Sequence, residues 1–108
     1  MTTIEDRLRV VPEFRPDEYD RVRELLLKGR LSRRLSRWDP SDIELEISVK
    51  GRDTNEQRMT LECWIAGIPR MVATSTLPEL EAAVHECRDD LYTQVDRYLD
   101  KQESQRRR

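Results

Sequence analysis

Residues 43–75 read IELEISVKGRDTNEQRMTLECWIAGIPRMVATS, and their period decides the fold. In the first eight, Ile43, Leu45, Ile47 and Val49 alternate with Glu44, Glu46, Ser48 and Lys50. Successive strand side chains point to opposite faces, so strict alternation predicts a half-buried strand. GRDTNEQ (51–57) is polar and reads as a loop. Alternation resumes over 58–66, where Met59, Leu61, Cys63 and Ile65 share the inner face. GIPR (67–70) is a turn, and 71–75 form a further strand. Strands joined by so short a turn must be antiparallel.

Downstream the period changes from two to between three and four. Leu80, Val84, Cys87, Leu91, Val95 and Tyr98 make one apolar stripe on a long helix. Thr76 and Glu79 have the spacing of a capping box before it. After Lys101 the sequence is wholly polar, so the helix should fray there. Upstream, LRVVPEF (8–14) predicts an edge strand, because Pro12 cannot donate to a ladder on both sides. Pro16 and Asp17 open a helix that should run to Trp38, with Tyr19, Val22, Leu26, Leu27, Leu31, Leu35 and Trp38 inward. Gly29 should bend or break it, and Pro40 ends it. The order is strand, helix, strand, strand, strand, helix. Each helix has one apolar stripe and the sheet has one apolar face. The expected fold is therefore α+β: a two-layer β-α-β-β-β-α sandwich with two helices on one face of a four-stranded sheet. Residues 1–103 form a single domain, and 104–108 form a basic, disordered tail.

Composition narrows the function. The chain has 108 residues and 39% charged side chains, with a formal net charge of -2. No window approaches the length of apolar sequence that a membrane span needs, and the first residues contain no apolar core of a secretory signal. The expectation is a cytoplasmic protein with no membrane partner. Cys63 and Cys87 fit neither a disulfide framework nor a zinc site, so a reducing compartment is expected and no metal or cofactor. His85 is the only histidine, and Cys87 two residues on points elsewhere on the helix. No nucleophile, base and pocket can be assembled from these residues, so no enzyme is expected. Gly29, Gly51 and Gly67 are isolated and make no phosphate loop.

The charge is unevenly spread. Residues 1–37 carry ten Lys/Arg against seven Asp/Glu, whereas 78–103 carry three against eight. KGRLSRRLSRW (28–38) holds five bases and no acid. On a helix Arg30, Arg33, Arg34 and Arg37 share one face beside the Leu31 and Leu35 stripe, with Lys28 a turn earlier. Guanidinium is planar, permanently charged and binds phosphate oxygens bidentately, so such a ridge suits a nucleic-acid backbone. The plainer reading is a solvated face whose arginine stems cover the core edge. Against it stands the absence of acids, since a face kept for solubility normally mixes signs.

The chain resembles the ribosome hibernation promoting factor and ribosome-associated inhibitor A family. The resemblance spans about residues 8–101. IELEISVKGRDTNEQRMTLECWI is similar to that family's charged hairpin, and AGIPRMVATS to its glycine turn and small-residue strand. LPELEAAVHECRDDLYTQVDRYLDK is similar to its second helix, Ala82 to Val84 standing for its usual Ala-Ala-Ile. The resemblance implies a β-α-β-β-β-α domain related in shape to the double-stranded RNA-binding domain. It implies a non-enzymatic protein that binds the small ribosomal subunit and its rRNA in the decoding region and represses translation under stress. In such proteins basic residues of both helices contact rRNA, and longer members carry a further C-terminal domain; this length suggests the short form. DNA is not an expected partner. The sequence departs from the pattern in its second helix, where Asp89, Asp90, Thr93 and Arg97 stand at usually basic positions. Only Arg97 keeps the charge. Acids against phosphate repel, so Lys28, Arg30, Arg33, Arg34 and Arg37 would carry the rRNA contact, with Arg97, Lys101 and the arginine tail in support.

A second reading is a protein-interaction module on the same fold, acting through the acidic second helix or through Trp64. Alternation puts Trp64 on the outer sheet face beside Val72 and Thr74, where it could stack a base or anchor a partner. Equally, it could cover an edge or pack under the N-terminal strand. Trp38, at the end of the first helix, is expected in the core.

Overall fold

A computed structural model of the chain describes residues 3–11 and 13–106. The alternating stretch forms a meander of β2 (Ile43–Lys50), β3 (Arg58–Ile65) and β4 (Ile68–Ser75). The short N-terminal strand β1 (Leu8–Val10) completes a four-stranded sheet in the order β1-β2-β3-β4. β1 pairs parallel to β2, with Leu8 opposite Leu45, and the other two pairings are antiparallel. A parallel pair needs a crossover connection, and α1 (Tyr19–Leu27) and α2 (Arg30–Leu35) supply it. α3 (Leu80–Arg106) follows β4 and packs on β3, β4, α1 and α2. All the helices lie against the sheet's apolar face, so the molecule is the expected two-layer α+β sandwich. One core cluster is shared by all of them.

The pattern explains the packing. Ile43, Leu45, Ile47 and Val49 of β2, with Met59, Leu61, Cys63 and Ile65 of β3, are buried. They meet Val84, Cys87, Leu91 and Val95 of α3, also buried. Fully burying one such side chain contributes about 2 kcal/mol. Leu80 and Tyr98, at the two ends of the stripe, are only half-buried. Gln57, buried at the end of the hairpin loop, donates its amide to the carbonyls of Leu77 and Pro78 and ties the loop to the start of α3.

Several boundaries differ from those expected. β1 stops at Val10, because Phe14 N–H turns back onto the Val11 carbonyl. Phe14 is buried from a turn rather than a strand, and Pro12 lies outside the described residues. β4 starts at Ile68, since the turn is the Ala66–Gly67 pair with Gly67 at φ 81°. Two β4 residues, Pro69 and Arg70, then lie between pairs that have only Trp64 between them on β3, which makes a bulge. The cap of α3 is Glu79, not Thr76: its carboxylate accepts from the Glu81 and Ala82 amides at 3.3 and 2.9 Å. Nor does α3 fray at Lys101; it continues to Arg106, while 107 and 108 of the tail lie outside the described residues. No helix among the described residues is long and apolar enough to cross a membrane.

Candidate nucleic-acid interface

The expected first helix is two helices. Lys28 is extended (ψ 130°), and Gly29 takes φ 99° and ψ -144°, a region open essentially only to glycine. Nothing lies within 4 Å of where its Cβ would be, so backbone conformation alone requires glycine. The break resets the helical phase. Leu25 joins Val22 and Leu26 in the core, while Leu27 is only half-buried. In α2, burial of Leu31 and Leu35 fixes the rest: Arg30 and Arg34 turn toward α3 and Arg33 faces outward, as does Arg37 in the turn where the expected helix has already ended.

These five bases do different things. Arg34 is clamped to α3: its Nη2 lies 2.7 Å from Asp96 Oδ1, its Nε donates to the same oxygen at 2.9 Å, and Asp100 is 3.7 Å away. Arg30 sits with its guanidinium carbon 4.8 Å above the Tyr92 ring, a cation–π contact that leaves its N–H edge exposed. Lys28 is exposed and 3.2 Å from Glu24, a helical i,i+4 pair that solvent screens. Arg33 and Arg37 are exposed and make no ion pair among the described residues. Arg97 and Lys101 are likewise exposed on α3. The ridge is thus three guanidiniums, Arg30, Arg33 and Arg37, with Arg34 holding its base.

Elsewhere the arginines are largely neutralised. Glu44, Glu46 and Glu62 on the outer sheet face pair with Arg7, Arg9 and Arg70 at 3.0–3.3 Å. That face is therefore a set of ion pairs, not bare carboxylates. Arg52 forks onto both Glu18 oxygens at 2.8 and 3.0 Å, and the Glu18 carboxyl is held below its ordinary range by that hydrogen bonding. Trp64 is half-buried opposite Glu44 and beside the bulge, while Val72 and Thr74 stand opposite Glu62 and Thr60.

Sequence reasoning missed Arg88. It reaches back from α3 so that Nη1 donates to the Leu25 carbonyl at 3.2 Å, near the end of α1, and it pairs with Asp89. With Lys28, Arg30, Arg33 and Tyr92 it lines a hollow of about 230 Å³ at the Gly29 break. The available signal was the four-residue spacing of Arg88 and Tyr92, which faces both toward the break. A second opening, about 460 Å³, lies where α2 ends against α3. Trp38 and Tyr98 line it with ring centroids 6.4 Å apart at 44°. Trp38 is half-buried rather than within the core.

Cys63 and Cys87 are free and buried, and burial pushes both thiols up to about 12. A thiol so protonated is a poor nucleophile at neutral pH. No group of three metal-ligating side chains occurs among the described residues. No protein-family model matches the chain, and no curated protein matches it.

Proposed function

We propose that this chain is a non-enzymatic ribosome-binding factor of the hibernation-factor type, acting in the cytoplasm. It would occupy the decoding region of the small subunit and repress translation by excluding messenger and transfer RNA. The observation that carries this reading is the charge state of α2 and the turn that follows it. Arg30, Arg33 and Arg37 are exposed with no carboxylate partner among the described residues, while Arg7, Arg9, Arg15, Arg21 and Arg70 all have one. Unpaired guanidiniums on one short helix and the turn that ends it gain by releasing counterions from phosphate; paired ones must first break a contact. Lys28, Arg97 and Lys101 extend the positive field, and Arg34 contributes by fixing the helix.

The test is co-sedimentation with small ribosomal subunits at two salt concentrations, comparing wild type with Arg30, Arg33 and Arg37 all changed to Glu. Three phosphate contacts make affinity fall roughly 40-fold between 50 and 200 mM salt, beyond any contribution from other groups. Wild type should pellet and the variant should not. Equal pelleting of both would refute the reading. An alternative is supported by the exposed Glu86 and Asp90 of α3, which pair with no base among the described residues. A protein partner bound there would give binding that tolerates salt and survives the triple substitution.

A further inference from the structure

The groove at the end of α2 is built differently from the ridge. One wall is Arg34 of α2 with Arg37 and Trp38 from the turn after it, and the other is Tyr98, Leu99, Gln102 and Glu103 of α3. Its volume of about 460 Å³ is that of a small-molecule site. The two rings meet as an open V rather than a stack, so a flat guest can lie against an aromatic face. Gln102 Nε2 donates to the Tyr98 hydroxyl at 3.2 Å, which holds the phenol and leaves the amide oxygen and second N–H available. Arg34 is fixed by Asp96, whereas Arg37 is exposed with no ion pair among the described residues.

Aromatic faces, an amide edge and one exposed guanidinium together match a nucleotide. The rings take the base, the amide reads its edge, and Arg37 takes the phosphate. An apolar side chain would strand the polar groups of Arg37 and Gln102. We infer that this groove holds one unstacked base of a single-stranded RNA segment, and so positions a chain whose phosphates run along α2. The inference rests on the RNA-binding reading above. α2 is about 9 Å long, so the groove and the hollow at Gly29 lie within reach of neighbouring nucleotides.

The test uses the full chain carrying Trp64→Phe, which leaves Trp38 as the sole tryptophan emitter. A short mixed-sequence single-stranded oligoribonucleotide, end-labelled, is titrated while Trp38 emission and label anisotropy are both recorded. The same strand as a perfect duplex, and guanosine monophosphate, are run alongside. The expected result is saturable change in Trp38 emission with the single strand, little with the duplex, and about tenfold weaker single-strand binding in Trp38→Leu. Because Trp38→Leu could perturb folding, Gln102→Glu serves as a second variant: it should weaken the single strand severalfold with an unchanged melting temperature. If the single strand binds and is lost on Arg30 and Arg33 reversal, but Trp38 emission stays constant, the groove is not the base site and the RNA reading stands. If no RNA and no ribosomal subunit binds, both fall. If the mononucleotide alters Trp38 emission as strongly as the strand does, the occupant is a free nucleotide and the RNA assignment is overturned.

Discussion

Replacing Arg34 should weaken the fold while leaving RNA affinity nearly intact, the opposite of replacing its neighbour Arg33. Arg34 makes two charge-assisted contacts to one Asp96 oxygen, at 2.7 and 2.9 Å. Its side chain is 26% exposed and that of Asp96 is 37% exposed. Fully desolvated, such hydrogen bonds are worth about 1.5–3 kcal/mol, but the exposure of Asp96 brings in solvent screening, and about 1 kcal/mol remains. Arg34→Met keeps the aliphatic stem over the core edge, so the loss should be confined to the ion pair. In a domain of this size that lowers the melting temperature by about 4 °C. The assay is a double-mutant cycle of Arg34→Met and Asp96→Asn by thermal melting, with co-sedimentation on each variant. A coupling of about 1 kcal/mol is expected, with subunit binding retained. Arg33→Met should melt like wild type and reduce the salt slope of binding by about one. The reasoning is refuted if Arg34→Met melts like wild type and costs as much binding as Arg33→Met.

Three further outcomes follow from the same geometry. Glu18→Gln should cost about 2 kcal/mol at neutral pH, because it leaves the Arg52 guanidinium, only 17% exposed, without its anion. The Glu18 carboxyl is depressed in the fold, so its contribution is complete above the unfolded value of 4.5 and is lost as pH falls through the folded value; urea titrations should show the wild-type advantage shrinking below about pH 4.5, and an advantage unchanged at pH 3 would contradict the linkage. Gly29→Ala should destabilise by about 1–3 kcal/mol from backbone strain alone, as φ 99° is closed to alanine while its methyl would meet nothing; a melting temperature equal to wild type would mean the helix break relaxes freely. Cys63 and Cys87 should react with a thiol reagent at neutral pH only as fast as the protein unfolds, and rapid labelling of the native state would show the core to be open.

The β2–β3–β4 meander and the stripe of α3 were legible in sequence because period-two and helical spacing are local properties of the chain. The sandwich followed, since each element had a single apolar face and one way to bury it. Less could be read where a local pattern is compatible with two geometries. Residues 8–14 look like one strand, yet Phe14 is buried from a turn because Val11, not a ladder partner, accepts its amide hydrogen bond. Thr76 and Glu79 have capping-box spacing, but the carboxylate one residue ahead of Leu80 was better placed to reach the free amides.

For the candidate site, sequence alone determined that bases would gather on residues 28–37 and that Leu31 and Leu35 would set their direction. It could not determine which of those bases would be free. That depended on what α3 places across the interface: Asp96 and Asp100 beside Arg34, the ring of Tyr92 beneath Arg30, and, among the described residues, no ion-pair partner for Arg33 or Arg37. Those partners are about sixty residues away along the chain, and a charge's role is fixed by its distance to the opposite charge, which only the packed helices define. The pairing of Trp38 with Tyr98 across the groove has the same origin.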